Sequence, residues 1–169
     1  MNRKKTFETI KDLIILALLA TILYVQEEVL TFLPNIQLTI FLIVLYSKKL
    51  GFKKTSFIII IHVFLDNLTM GSLNFVYTPF MFAGWELIPL LLSTVFKDVD
   101  DSLHLALLGI LFALIYCWIF IIPGVLISRI NILAYIASDM IFEIILATSS
   151  FVSILWLYDP CSKVFDKFL

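Results

Sequence analysis

Long apolar runs, separated by charged residues, prolines and glycines, dominate this chain. The runs are continuous and do not alternate apolar with polar residues, so they predict helices rather than barrel strands. Inside a bilayer, only helices and closed barrels satisfy every backbone hydrogen bond. We therefore predict an all-α membrane protein. Its six transmembrane helices are expected within residues 13–33, 36–50, 56–68, 76–96, 103–122 and 132–158.

The composition agrees with a bilayer as the solvent. Hydrophobic residues make up 62% of the chain and charged residues 15%, whereas soluble domains have roughly 45–50% and about 25%. A spanning helix takes roughly 20 residues, so six spans with short connections fill the 169 residues. We expect a single transmembrane domain over residues 1–169, with no separate soluble domain.

The distribution of lysine and arginine predicts the orientation. The chain has 12 Lys and Arg residues. If the amino terminus is cytoplasmic, six spans place all of them except Arg129 on the cytoplasmic side. An excess of Lys and Arg in cytoplasmic segments is the usual orientation signal, and five or seven spans would destroy it. We expect both termini in the cytoplasm and a multi-pass protein of the bacterial plasma membrane.

The two faces of the predicted bundle differ. The outward connections, residues 26–37, 66–77 and 123–131, are polar and contain no lysine, whereas the inward turns are short and carry lysines. This asymmetry predicts a ligand site on the outer face and a docking surface on the inner face.

Several classes of function lack their sequence signatures. The chain has no phosphate-binding glycine loop, nucleophile elbow or paired-histidine metal motif, and it contains only two histidines. Cys117 and Cys161 lack metal-ligand spacing, so we expect no metal, cofactor or disulfide. Without a basic stripe, nucleic acid is not an expected partner. We assign no catalytic residue and expect no enzyme activity.

His62 and Asp66 are four residues apart and therefore share one face of the predicted third helix. Polar residues inside a membrane are expensive and often functional. The pair could contact a ligand or relay a proton. Alternatively it could be an interhelical pair worth about 0.6 kcal/mol per hydrogen bond. We favour the structural alternative for His62 and ligand binding for Asp66 and the adjacent Asn67.

Asp139 and Glu143 have the same four-residue spacing on the last predicted helix. Two acids on one face of a membrane helix are costly unless they are paired, protonated or hydrated. They could contact a ligand or form purely structural interhelical bonds. A membrane enzyme that uses both acids is a further, less favoured hypothesis.

The remaining binding candidates lie in or near the outward connections. Amides and acids can orient a polar ligand, and aromatic rings can stack on a flat one. The structural alternatives are solvated helix ends and an interfacial aromatic belt. Arg129 is also a candidate ion-pair partner for Glu27, Glu28 or Asp66. These further candidates are Asn35, Gln37, Asn74, Tyr77, Trp85, Glu86, Arg129 and Asn131.

Small residues on the first helix predict a helix-packing surface. Ala17 and Thr21 form a small-x-x-x-small step beside Ala20, and such steps allow close helix approach. The alternative is ordinary packing within the chain.

Scattered short blocks over most of the chain resemble a known family, the substrate-binding S components of energy-coupling factor (ECF) vitamin transporters. The similarity also includes the length and the six predicted spans. The blocks are Leu33-Pro34-Asn35-Ile36-Gln37-Leu38, Tyr46-Ser47-Lys48-Lys49, Val63-Phe64-Leu65-Asp66-Asn67-Leu68, Asn74–Pro89, Ala134-Tyr135-Ile136-Ala137-Ser138-Asp139 and Ser149-Ser150-Phe151.

The resemblance implies a subunit that captures a vitamin or related micronutrient outside the cell. It would dock on a transmembrane scaffold protein, the T component, which two cytoplasmic ATPases drive. The first-helix residues Ala17, Ala20 and Thr21 would face the scaffold, although Thr21 departs from the family's Ala-x-x-x-Ala. The family's pocket lies between the outer loops and the outer halves of spans four to six. The resemblance therefore implies that this pocket is lined by Asn74, Tyr77, Trp85, Glu86, Arg129, Asn131 and Asp139.

A second family also resembles the chain. The rod-shape-determining membrane protein D family is small and six-spanning, with a Pro-Asn step at the second span and an Asp ending the third. Its role would be to scaffold a cell-wall synthesis complex without carrying a ligand. His62 and the acids of the last span depart from that family's pattern.

Overall fold

The structure, a computed structural model, describes residues 10–69, 74–129 and 131–168. It is 84% helical, and its described residues include no strand, which confirms the all-α prediction. The described residues form seven helices. They are α1 Ile10–Leu30, α2 Thr39–Leu50, α3 Phe52–Thr69, α4 Thr78–Ser93, α5 Ser102–Ile119, α6 Ile121–Ser128 and α7 Ile132–Phe168.

Three helical segments of the described chain are long and apolar enough to cross a membrane. They are Ile10–Leu30, Ser102–Ile127, in which α5 and α6 continue one another, and Ile132–Lys167. Thr78–Ser93 is apolar but shorter. The chain therefore has the helices of a membrane protein.

The short helix α2 lies at the centre of the bundle. Every residue from Thr39 to Tyr46 is buried, and α2 contacts α1, α3, α4, α5 and α7. A helix that is apolar on all sides is stable only when other helices surround it. The tyrosine hydroxyl of Tyr46 donates a hydrogen bond to the carbonyl of Leu19, 3.3 Å away.

The other helices surround α2. Helix α3 packs against α1 and α4, while α7 packs most extensively against α5. Gly109 allows this last approach, because a Cβ at that position would lie 2.5 Å from Cδ1 of Ile154. The long hairpin of α5, α6 and α7 thus forms one side of the bundle.

The division of the fifth apolar run into α5 and α6 was not predicted from the sequence, although the two together form one candidate span. The fifth apolar run was expected to be one helix over 103–122, but the chain turns at Phe120 and α6 begins at Ile121. Pro123 explains the break, because proline lacks the N–H that would bond to the carbonyl of Ile119. The seventh helix also extends beyond its expected end at residue 158, to Phe168.

Lysines join the helices at the end of the bundle opposite the loop between α1 and α2. The Lys48 side chain, 7% exposed, lies 3.3 Å from Asp100. Its Nζ donates to the carbonyls of Phe96 and Lys97 at 3.1 and 3.0 Å. Lys49 pairs with Asp166 at 2.7 Å and so attaches α7 to α2.

Candidate functional site

A cavity of 270 Å³ lies where α3 ends and α4 begins, and we call it the polar cavity. It contains four predicted binding residues, so the sequence identified most of its polar lining. The residues around it are Asp66, Asn67, Asn74, Tyr77, Thr78, Met81 and Phe120.

Local hydrogen bonds hold this lining in place. Asn74 Oδ1 accepts from the backbone N–H groups of Val76 and Tyr77 at 3.1 and 3.3 Å, just before α4. An Asn side chain in this position favours a turn into a helix. The Thr78 hydroxyl donates to Asn67 Oδ1 at 2.6 Å and joins α4 to α3.

Asp66 is the acid of the polar cavity. It is 2% exposed, and its Oδ2 has no hydrogen-bond partner among the described residues. A buried ionised carboxylate without a partner is costly. The position would therefore favour a cationic or hydrogen-bond-donating group that enters the cavity.

Two aromatic rings face each other at the polar cavity. The rings of Tyr77 and Phe120 are nearly parallel, with an interplanar angle of 16° and centroids 6.4 Å apart. Phe120 lies at the turn between α5 and α6, so the α6 break determines where this ring is placed. Rings in this arrangement offer a flat apolar surface for a planar ligand.

A second acid, the partly buried Glu27 of α1, lies near the histidine one turn before Asp66. His62 is fully buried, and its Nε2 lies 3.2 Å from Oε2 of Glu27 on α1. The contact has the distance of an ion pair but not the direction of a hydrogen bond, and His62 Nδ1 has no partner among the described residues. We call Glu27, His62 and Asp66 the buried polar cluster.

Aromatic residues enclose this cluster on the side of α4 and α5. Trp85 is fully buried, and its ring centroid is 6.5 Å from that of His62. On its other side Trp85 stacks on Tyr116 with centroids 3.7 Å apart. Trp85 therefore covers His62 and, as a core residue, lies outside the lining of the polar cavity.

Gln26 supports the cluster and was not predicted from the sequence. Its Oε1 accepts from the backbone N–H of Leu38, and its Nε2 donates to the hydroxyl of Thr39, both at 2.8 Å. Gln26 thereby accepts a hydrogen bond from a backbone N–H at the beginning of α2, where such groups have no partner within the helix. The only signal in the sequence was a glutamine in the last turns of an apolar helix, directly before Glu27.

Asn35 and Gln37 lie outside the polar cavity and line a second cavity of 200 Å³, together with Glu27. Asn35 has a positive φ of 57°, and its Nδ2 donates to the carbonyl of Phe142 at 3.1 Å. The Ser149 hydroxyl donates to the carbonyl of Gln37 at 3.1 Å. Both residues attach the α1–α2 connection to α7.

Glu86 points away from the polar cavity, although it is adjacent to Trp85 in the sequence. Its Oε1 accepts a hydrogen bond from the hydroxyl of Ser56 on α3. Its Oε2 is buried without a partner among the described residues. Glu86 therefore joins α4 to α3 at a separate place.

Asp139 and Glu143 also lie apart from the polar cavity. Glu143 is 8% exposed, and its Oε2 accepts from Nε1 of Trp118 on α5 at 3.4 Å. Asp139, one turn away, is half-buried. The pair occupies the seam between α5 and α7, so the predicted lining by the last span is not found among the residues around the polar cavity.

Arg129 and Asn131 flank the beginning of α7. Arg129 ends α6 with a positive φ of 52°, and no described ion pair joins it to Glu27, Glu28 or Asp66. Asn131 Oδ1 accepts from the N–H of Leu133 at 2.9 Å and caps α7.

The predicted docking residues point in two directions. Ala17 and Thr21 are exposed on α1, whereas Ala20 is 1% exposed and faces the core. The Thr21 hydroxyl donates to the carbonyl of Ala17 at 2.8 Å, so its polar group is satisfied within the helix. Only Ala17 and Thr21 lie on a surface that another helix could approach.

The described residues contain no group of His, Cys, Asp and Glu that could hold a metal ion. Comparison with protein-family models, curated proteins and solved structures finds no match to this chain. The geometry of the polar cavity is therefore the basis for a functional hypothesis.

Proposed function

We propose that the chain is the substrate-capture subunit of an ECF-type importer, an S component that binds a micronutrient at the polar cavity. The single observation that carries the proposal is Asp66, a buried acid at the lining of that cavity, one of whose carboxylate oxygens has no hydrogen-bond partner among the described residues. A buried acid without a partner costs stability, and ligand binding is the most direct reason to retain it.

The proposed ligand class follows from the lining. Asp66 would attract a cation or a hydrogen-bond donor. The adjacent Asn67 amide is bonded to Thr78, Val63 and Met81 and keeps this wall of the cavity in place. The facing rings of Tyr77 and Phe120 would accept a flat ring. A cationic or hydrogen-bonding heterocycle of the vitamin or micronutrient class fits these groups.

The proposed topology has six spans, with the polar cavity outside and both termini in the cytoplasm of a bacterium. Helices α1, α5 with α6, and α7 are long enough to span. Helices α2, α3 and α4 would complete the count as shorter spans. The lysine-joined end of the bundle would then face the cytoplasm, as the positive-inside rule requires.

The proposed partners are a transmembrane T component and two cytoplasmic ATPases, which would supply the energy that this chain itself does not generate. The exposed face of α1 at Ala17 and Thr21 is the proposed docking surface, because small residues permit close approach of a partner helix.

Isolation of the tagged chain from its native membrane, followed by mass spectrometry, tests this proposal. We expect a multi-spanning scaffold and two ATP-binding subunits to be recovered with it. Ala17→Trp and Thr21→Trp should abolish their recovery, whereas Leu107→Trp, on the exposed face of α5, should not. Recovery of no ATP-binding subunit would contradict the proposal.

A specific observation favours a second candidate function, the rod-shape-determining membrane protein D-like scaffold of a cell-wall synthesis complex. A lateral apolar groove of 550 Å³ lies between the beginning of α2 and α7, lined in part by Ile36, Leu38 and Trp156. A scaffold would use such a groove to hold another membrane protein. Co-isolation of cell-wall synthesis proteins without ATPases would favour this candidate.

A further inference from the structure

The buried polar cluster connects the two cavities at this end of the bundle. Glu27 lines the second cavity, its carboxylate lies 3.2 Å from His62, and Asp66 lies one helical turn from His62 and lines the polar cavity. An ionisable route thus runs from one cavity to the other through residues of α1 and α3.

The charges around His62 are unbalanced unless a cation is present. Helix α1 contributes Glu27, with Glu28 within electrostatic range of Asp66, and α3 contributes Asp66 itself. Helix α2 contributes the neutral Thr39, α4 contributes Trp85 while Glu86 turns to Ser56, and α5 contributes Tyr116. One carboxylate therefore lies against the imidazole and a second lies one helical turn away, and no described Lys or Arg pairs with either.

One positive charge would offset one of these two carboxylates, and two sources could supply it. A proton on His62 would place an imidazolium 3.2 Å from the Glu27 carboxylate and one helical turn from Asp66. A cationic ligand in the polar cavity would place the charge beside Asp66 instead. The two cations would repel each other in this site, so each would weaken the binding of the other.

We propose that the buried polar cluster exchanges one proton for one cationic ligand. In the protein without ligand, a proton on His62 offsets one of the two carboxylates. When the cation binds at Asp66, His62 loses this proton to water on the side of the second cavity, which Glu27 lines. The cluster has the same net charge before and after, and one proton is released for each cation bound. This inference rests on the polar cavity being the ligand site, as proposed above.

The two histidines of the chain allow a direct test. In a His104→Gln variant labelled with ¹⁵N-histidine and purified without a polyhistidine tag, His62 is the only histidine. In lipid nanodiscs, its ¹⁵N shifts should change from the neutral to the cationic pattern as the pH is lowered from about 8 to about 5. Glu27→Gln should reduce the cationic fraction at a given pH, whereas Asp159→Asn, an exposed acid of α7, should leave it unchanged.

The exchange itself is tested with 1-methylpyridinium, a flat monovalent cation, and toluene as its neutral counterpart. At fixed pH, the ratio of cationic to neutral His62 should fall about tenfold when the cation is present at about ten times its dissociation constant. Toluene should have no such effect, and Asp66→Asn should abolish the effect of the cation. By linkage, the cation should bind more weakly as the pH falls.

Two results would overturn the inference. One is a His62 that stays neutral over the whole pH range, and the other is a cationic signal that 1-methylpyridinium leaves unchanged up to its solubility. Neither result depends on the partner proteins. A failure to recover ATP-binding subunits would contradict the importer and leave the proton exchange standing, so the two failures can be distinguished.

Discussion

Two pairs of polar residues have the same spacing in the sequence and different surroundings in the structure. His62 and Asp66 on α3 are almost fully buried, and atoms of both lack hydrogen-bond partners in the described chain. Asp139 and Glu143 on α7 lie on the seam with α5, where Glu143 accepts from Trp118. Spacing determines which face of a helix two residues share, but the neighbouring helices determine what that face meets.

The largest difference between the pairs should come from their tryptophans. Trp85, buried beside His62, fills core space, whereas Trp118, beside Glu143, is 53% exposed. We expect Trp85→Ala to lower the free energy of unfolding by about 3–5 kcal/mol and Trp118→Ala by about 1 kcal/mol. Denaturant unfolding in detergent measures both losses. If Trp85→Ala does not fold, Trp85→Phe replaces it, and its loss of unfolding free energy should lie between the two values expected above. Equal losses would show that the two pairs are enclosed alike.

Gln26 tests how much the buried pair depends on its surroundings. Gln26→Ala removes hydrogen bonds to Leu38, Thr39 and Leu23, so it should cost about 1–3 kcal/mol in unfolding free energy. Gln37→Ala is the control, since the Gln37 side chain accepts only the Thr39 hydroxyl among the hydrogen bonds described. A larger loss of unfolding free energy for Gln37→Ala than for Gln26→Ala would contradict the assignment of Gln26 as the residue that stabilises the beginning of α2.

Neutralising one acid in each pair should change stability in opposite directions. Asp66→Asn removes a buried carboxylate with an unpartnered oxygen and should raise the unfolding free energy by about 1 kcal/mol at neutral pH. Glu143→Gln weakens a charge-assisted bond from Trp118 and should lower it by about 0.5 kcal/mol. Thermal unfolding in one detergent gives both signs. Destabilisation by Asp66→Asn would indicate that Asp66 is a structural anchor rather than a ligand-binding acid.

A water-exposed pair provides the smallest effect and a reference for the other two. Hydrogen bonds from the His104 ring and from the backbone N–H groups of His104 and Leu103 lower the pKa of Asp101, which caps α5. A lowered carboxyl pKa gives stability that is present above the unfolded value of about 3.9 and lost as the pH falls through the folded value. The stability difference between wild type and Asp101→Asn should therefore shrink below about pH 4. A difference that stays constant with pH would contradict this assignment.

The sequence predicted the helices well because each apolar run has a single structural solution in a bilayer. It did not predict the one-residue interruption at Phe120, near Pro123, although α5 and α6 together form one candidate span as expected for the fifth run. It also grouped Trp85 with Glu86, since neighbours in sequence look like neighbours in space, while a helix turns them towards different partners. Gln26 was missed because no local pattern indicates that a side chain will reach across to begin another helix.

Four polar-cavity residues were among the sequence predictions because all four lie close together in the chain, in the last turn of α3 or directly before α4. Residues that a site collects from distant elements are harder to find. Phe120 belongs to the cavity through the α5–α6 turn, and Glu27 approaches His62 from α1. The two acids of α7 were assigned to the ligand site from the cost of burying them, yet an indole N–H on α5 already meets Glu143.

The central position of α2 has a consequence for how the protein enters its membrane. Helix α2 has 12 residues, which rise about 18 Å, whereas the hydrocarbon layer is about 30 Å thick. The helix emerges from the ribosome before α3, α4, α5 and α7, which later surround it. In the proposed six-span topology, α2 would therefore have to remain beside the translocon, paired with α3 across the turn at Gly51, until those partners arrive. Biogenesis of this chain would then be a late, concerted release of several helices rather than the insertion of one span after another.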